Sequence, residues 1–200
     1  MNNQVKLGTV VSHIKRGATP TYSDVINEFP VLNQKAIRWG SINQEHLKYA
    51  HPDSISSIKK DAIIRRGDVV INSTGDGTIG RAYCFSEEPK FLVADSHISI
   101  IRTDPEVLDP NYLVFCFESA QGQHQIYSLV NGTTGQIELP PSGIKGFKLN
   151  VPPIEVQRKV VALLLTCNKE QEIINQQLTL LQQQKKGLMQ RLLTGQSFGK

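Results

Sequence analysis

The string Gly75-Asp76-Gly77-Thr78-Ile79-Gly80 matches the dinucleotide-binding pattern Gly-x-Gly-x-x-Gly. That pattern works only when a helix follows, because the helix N-terminus holds the pyrophosphate. Here the β-type run Arg81-Ala82-Tyr83-Cys84-Phe85 follows, with no acidic residue about 20 positions on across a helix. The string therefore reads as a glycine-rich loop between two strands, edged by Ser73, Thr74, Thr78 and Arg81. Such a loop lets backbone amides and small hydroxyls approach a phosphate backbone closely. Asp76, Glu88 and Lys90 have the group types of a small Mg-dependent nuclease. That chemistry needs both carboxylates on adjacent strands facing one ion, whereas Glu87-Glu88-Pro89-Lys90 reads as a turn. His13, His46, His51, His97 and His124 show no metal-ligand spacing, and no Ser or Thr has a suggestively placed His and Asp. No Asn-Pro-Pro or Asp-Pro-Pro followed by an aromatic marks an amino-methyltransferase. Neither a catalytic residue nor a metal site is assigned.

What remains is a set of polar loops: Gln34-Lys35-Ala36-Ile37-Arg38-Trp39, Ser73 to Arg81, Asp95-Ser96-His97 and Thr133-Thr134-Gly135-Gln136. Their side chains are of the kinds that pair with base edges and phosphates. His97 stands out because its tripeptide sits between two expected strands.

The elements that must carry these loops are mixed. Asp68 to Asn72, Arg81 to Phe85, Phe91 to Ala94 and His97 to Arg102 are alternating or β-branched runs and read as strands. Leu7 to Ile14 reads as a short helix closed by Lys15-Arg16-Gly17, and Ile144 to Asn150 as a last strand. Asp109-Pro110-Asn111 caps a helix carrying Tyr112, Leu113, Cys116 and Phe117 on one face. No internal repeat is present, which excludes duplicated halves within this sequence.

Near residue 150 the pattern changes to one long helix, with Pro153 suited to its first turn, Glu155 favourable at that end, and a Leu193-Thr194-Gly195 stop. Its seam is Val160, Leu164, Cys167, Gln171, Ile174, Leu178, Leu181, Lys185, Leu188 and Leu192. The spacing alternates 4 and 3 throughout, the heptad repeat of a coiled coil, and polar residues at Gln171 and Lys185 suit the fixing of register. About 40 residues at 1.5 Å each span roughly 60 Å, more than a small domain's width, so the seam calls for a partner helix.

Charge and composition narrow the class. The chain has 200 residues, 22 Lys/Arg and 18 Asp/Glu; residues 1 to 150 are balanced and the excess of +4 lies after them. If the first 150 residues bind DNA, they do so through a local patch and not bulk charge. No apolar run exceeds six residues, Val160 to Leu165 being one, against the roughly 20 a bilayer span needs. The N-terminus has no secretory pattern, and Cys84, Cys116 and Cys167 are odd in number and scattered. A reducing cytoplasm is expected, without a disulfide framework, structural zinc or membrane association.

The run Leu149-Asn150-Val151-Pro152-Pro153-Ile154-Glu155-Val156-Gln157-Arg158-Lys159-Val160 resembles the linker into the spacer helix of the DNA-specificity (S) subunits of type I restriction–modification systems. Gln184-Lys185-Lys186-Gly187-Leu188-Met189-Gln190-Arg191-Leu192-Leu193-Thr194-Gly195 resembles that helix's end. Lys6-Leu7-Gly8, Arg16-Gly17-Ala18-Thr19-Pro20, Ile79-Gly80-Arg81 and Asn131-Gly132-Thr133-Thr134-Gly135-Gln136-Ile137 are similar to target-recognition-domain landmarks. The resemblance covers essentially the whole chain. S subunits usually carry two recognition domains and two helical regions; this sequence has one of each, which implies a half-subunit completed by a second copy. The resemblance further implies a protein without catalysis or a cofactor of its own, holding methyltransferase (M) and, in a full complex, restriction (R) subunits on double-stranded DNA. S-adenosylmethionine, ATP and Mg²⁺ would belong to those partners. One recognition domain would enter the major groove at each half-site, with the paired helices as a ruler.

The expectation is thus an α+β target-recognition domain over residues 1–150 and a spacer helix over 151–200 that pairs antiparallel with a second copy. Lys35, Arg38, Ser73, Thr74, Arg81, His97, Thr133 and Thr134 are the expected DNA contacts. Val160, Leu164, Cys167, Ile174, Leu178, Leu181, Leu188 and Leu192 are the expected dimerisation residues. A dimeric decoy or regulator that sequesters methyltransferase subunits is the alternative, with the small nuclease behind it.

Overall fold

The computed structural model describes residues 4–132 and 137–194. It divides into two compact units, Met1–Val161 and Ala162–Lys200. The first unit opens with β1 (Gln4–Lys6), a 3-10 turn (Leu7–Thr9) and β2 (Val11–Arg16). Short strands follow: β3 (Tyr22–Ser23), β4 (Pro30–Leu32), β5 (Ile37–Arg38), β6 (Ser41–Ile42) and β7 (Lys48–Ala50). Then come β8 (Val69–Asn72), β9 (Ala82–Cys84), β10 (Val93–Ala94) and β11 (Ile98–Thr103). Helices α1 (Pro110–Glu118), α2 (Ala120–Ser128) and α3 (Pro141–Gly146) precede β12 (Lys148–Asn150) and the 40-residue α4 (Ile154–Leu193).

The scaffold is an antiparallel sheet in the order β2-β11-β8-β9. Because strand side chains alternate between faces, Val69 and Ile71 of β8 enter one core cluster and Val70 enters another. Ile101 of β11 joins the first, Ile98 and Ile100 the second. The sheet is therefore buried on both sides, which is why these strands read as near-continuous apolar runs. The first cluster is completed by Leu113 and Phe117 of α1, Ile126 of α2, and Phe147, whose ring packs edge-on against Phe117 with centroids 4.8 Å apart. The second is completed by Leu32, Ala36, Ile37, Ile64, Leu92 and Ala94. A second sheet, β10-β4-β7-β3, contains the parallel pair β10–β4; β5 and β6 form a hairpin, and β1 pairs antiparallel with β12.

Asp109 caps α1 as its position implies, accepting from the amides of Asn111 and Tyr112. The break between α1 and α2 is set by Ser119, whose hydroxyl accepts from the Gly122 amide, and by the lack of room at Gly122. A Cβ there would lie 1.9 Å from the Cys116 carbonyl oxygen.

Two expectations are corrected. Leu7 to Ile14 is not a helix: after one 3-10 turn the chain becomes β2, because pairing with β11 fits the alternation that buries Ile14 and exposes Lys15. Of the expected strand Ile144 to Asn150 only Lys148–Asn150 pairs; Pro141, at the first position of α3, sets a helical φ ahead of it. The first compact unit runs on from the recognition domain expected over 1–150 to Val161, the first turns of α4 burying Gln157 and Val161.

Gln157 is fully buried yet satisfied. Its Oε1 accepts from the Asp109 amide at 3.0 Å, and its Nε2 donates to the carbonyls of Val107 at 3.0 Å and Pro152 at 2.8 Å. Nearby, Arg158 pairs with Glu106 at 2.8 Å. Beyond Val161, α4 keeps its heptad seam exposed, including Ile174, Leu178, Leu181, Leu188 and Leu192. Among the described residues no helix is long and apolar enough to cross a membrane.

Candidate nucleic-acid interface

The glycine loop lies at the tip of the β8–β9 hairpin, strand to strand, with no helix after it. The Ile79 amide donates to the Gly75 carbonyl at 2.9 Å and the Gly80 amide to the Asn72 carbonyl at 2.9 Å, while Ile79 is buried as the loop's anchor. Beneath it, Asn72 is fully buried and its Nδ2 donates to the carbonyls of Gln34 at 2.9 Å and Thr78 at 3.1 Å. One side-chain amide thus ties the Gln34–Trp39 segment to the glycine loop. Gly75, at φ 96°, leaves open the space a Cβ would occupy 3.0 Å from the Gln34 Oε1.

Thr74 is the meeting point. Its Oγ1 donates to the Gln34 Oε1 at 2.7 Å and lies 2.9 Å from the His97 Nδ1. Its backbone bridges Glu138, which in turn exchanges amide–carbonyl bonds with Asn131 at 2.8 and 2.9 Å. Three of the polar loops, far apart in sequence, therefore meet at one residue, and Glu138 joins them there.

Two devices hold them, one buried and one half-buried. Asp95 is 3% exposed; its Oδ1 accepts from the His97 amide at 2.6 Å and its Oδ2 from the Tyr22 hydroxyl at 3.2 Å. Burial first, and then Asp95, pushes the Tyr22 phenol up to about 12, so it stays a donor. Arg16 donates to the Ser96 carbonyl at 3.0 Å, the Leu139 carbonyl at 3.2 Å and Glu138 Oε1 at 2.5 Å. It ties the end of β2 to both the Asp95–His97 turn and the neck of the 131–138 loop.

Of the expected contacts, Thr74 and His97 meet, with His97 exposed. Lys35 is exposed and its ammonium has no ion-pair partner among the described residues. Arg38 donates to the Lys35 carbonyl at 2.6 Å and Arg81 to the Gly77 carbonyl at 2.9 Å, so each braces its own loop. Ser73 is corrected: it is 0% exposed and its hydroxyl is bonded to that of Ser99 at 2.7 Å, which leaves it no surface for a ligand. Thr133 and Thr134 lie outside the described residues. Arg16 and Gln34 are site residues that the expected contact set omits, although each stands in a segment the sequence singles out.

The geometry disfavours hydrolytic chemistry. Asp76 sits at the hairpin tip, whereas Glu88 accepts from the Arg66 amide at 2.7 Å at the opposite end of the same hairpin. Burial pushes the Cys84 thiol up to about 12 and the Cys116 thiol to about 11, so neither is an activated nucleophile.

The family model for the type I restriction modification DNA specificity domain matches residues 3–183. The chain belongs to that family. A protein of Methanocaldococcus jannaschii named as the MjaX specificity subunit of a type I restriction enzyme is 22% identical over 190 residues, covering 94% of this chain and 44% of its own. The HsdS subunit from Thermoanaerobacter tengcongensis shares the fold at a TM-score of 0.64 and 19% identity, over 96% of this chain and 48% of that one. A chain from the structural study of complex assembly and conformational transition of the type I R-M system aligns at 0.65 and 16% identity, over 95% and 43%. The specificity chain described here thus spans about half the length of the relatives it matches. The first two of these are named as specificity or HsdS subunits.

Proposed function

We propose that residues 1–150, with the first turns of α4, form a non-catalytic DNA target-recognition domain. It would direct methyltransferase and restriction subunits to a bipartite site. The observation that carries this reading is the meeting of three polar loops and Glu138 at Thr74, within a chain of the specificity family. The loops present donors and acceptors of the kinds that read base edges, while Lys35 supplies a cation for the phosphates. The exposed seam of α4 would pair antiparallel with a second copy, and each copy would read one half-site. Two identical readers related by a two-fold axis require an interrupted palindrome. A helix of 40 residues, roughly 60 Å, corresponds to about 17 base pairs overall, leaving a spacer on the order of 6 to 10 between half-sites. The cofactors S-adenosylmethionine, ATP and Mg²⁺ would be held by the partner subunits.

Methylome sequencing of cells with and without the chain tests this. A new interrupted palindrome that depends on the chain supports it. An asymmetric bipartite motif would remove the homodimer, and loss of pre-existing methylation without a new motif would favour the decoy.

A further inference from the structure

The hydrogen bonds around Thr74 have a direction, and it decides what the surface offers to DNA. A threonine hydroxyl carries one proton and can accept through its lone pairs. At Thr74 that proton goes to the Gln34 Oε1 at 2.7 Å. His97 Nδ1, 2.9 Å from the same oxygen, must then be the donor. Its ring is the Nδ1–H tautomer, and its other nitrogen, Nε2, is left as an acceptor. The Gln34 carboxamide has its oxygen engaged on Thr74, so its Nε2 hydrogens are what it offers.

We propose that Gln34 and His97, coupled through Thr74, are specificity-determining residues that present a fixed donor and a fixed acceptor to one base edge. This rests on the DNA-recognition reading and sharpens it. Both ends are held from beneath by buried polar groups. Asn72, 0% exposed, holds the Gln34 carbonyl at 2.9 Å, and Asp95, 3% exposed, holds the His97 amide at 2.6 Å. Gly75 admits the carboxamide where any side chain would crowd it. The pair is ordered before DNA arrives, so a mismatched edge cannot be met by cheap reorientation. The complement is an edge offering an acceptor beside a donor. Among single bases in the major groove, adenine presents that set, N7 with the N6 amino group. Guanine presents two acceptors, N7 and O6, and its second acceptor would face the His97 Nε2.

Thr74 is the positioning residue, and its test begins without DNA. In the full chain at pH 8, nitrogen-15 NMR of the His97 ring should show the Nδ1–H tautomer, and Thr74→Val should abolish that preference while Thr74→Ser keeps it. An Nε2–H ring in the wild type overturns the proposal. Fluorescence anisotropy on duplexes carrying the mapped half-site and its single-base variants then reads function. One adenine position should be preferred over guanine by about tenfold or more in the wild type. Thr74→Val and Gln34→Leu should lose that preference, and Thr74→Ser should retain it. Replacing that adenine with 7-deazaadenine should mimic the loss. If the wild type discriminates and Thr74→Val discriminates equally, this inference fails and DNA recognition stands. If the wild type shows no preference among duplexes, both fall.

Discussion

Replacing Gln157 by Leu should weaken the first unit far more than its conservative volume suggests. The residue is 0% exposed and serves three backbone groups: the Asp109 amide and the carbonyls of Val107 and Pro152. Leucine fills the space and strands all three. A buried backbone group left without its partner costs about 1–3 kcal/mol, and the carbonyls keep some access to relaxation. Taking the lower figure for each gives about 3 kcal/mol. For a unit of this size that corresponds to a melting temperature lower by about 6–12 °C. Trp39 is the one tryptophan and packs half-buried against the main core cluster, so urea titration followed by its fluorescence reports this unit selectively. Gln157→Glu keeps the acceptor for Asp109 but turns a carboxylate toward two carbonyl oxygens, and should be no better tolerated. If Gln157→Leu costs less than about 1 kcal/mol with an unchanged slope, the start of α4 is not held to the domain by this side chain.

Leu178→Asp with Leu181→Asp, at positions 51% and 61% exposed in the single chain, should give monomers by light scattering while the Trp39 transition is unchanged; a wild type already monomeric at tens of micromolar refutes the pairing. Lys35→Ala should weaken binding about equally across sequences and lower the salt slope by about 1, whereas a change confined to one target would make Lys35 a base reader. His13 is held below the ordinary imidazole value by burial and then by Arg102, 3.5 Å from its Nε2. Folding therefore favours the neutral ring, and this contribution is present above pH 6.5 and lost as pH falls below it. Between pH 7.5 and 5 the wild type should lose more stability than His13→Gln, and equal losses would refute the assignment.

Elements with strong local signals were legible from sequence: the β-branched β8 and β11, the capped α1 and the heptad-patterned α4. β2 was not, because its pairing with β11 is a contact across some 85 residues that overrode a weak helical pattern in Leu7 to Ile14. The loops were legible as polar segments, but the meeting of three of them at Thr74 depends on topology that brings Gln34, His97 and Glu138 together. A hydroxyl in a loop looks the same whether it faces solvent or, like that of Ser73, its neighbour across the sheet. Gln157 was invisible for a related reason: apolar periodicity does not register a glutamine that is buried because it is fully bonded.

The pairing of β1 with β12 sets a clock on synthesis. Val5 stands opposite Leu149, so an early strand must wait for one made about 140 residues later. At roughly 5–20 residues per second the ribosome takes about 7–30 s to cover that distance. Through that interval β1 has no edge to join, and the main cluster, which draws on Leu7 and Leu149, is open at one end. The apolar seam of α4 is translated only after β12. The surface proposed to pair copies is therefore made only after the residues that close the first unit, so copies pairing through it would meet with those domains already complete.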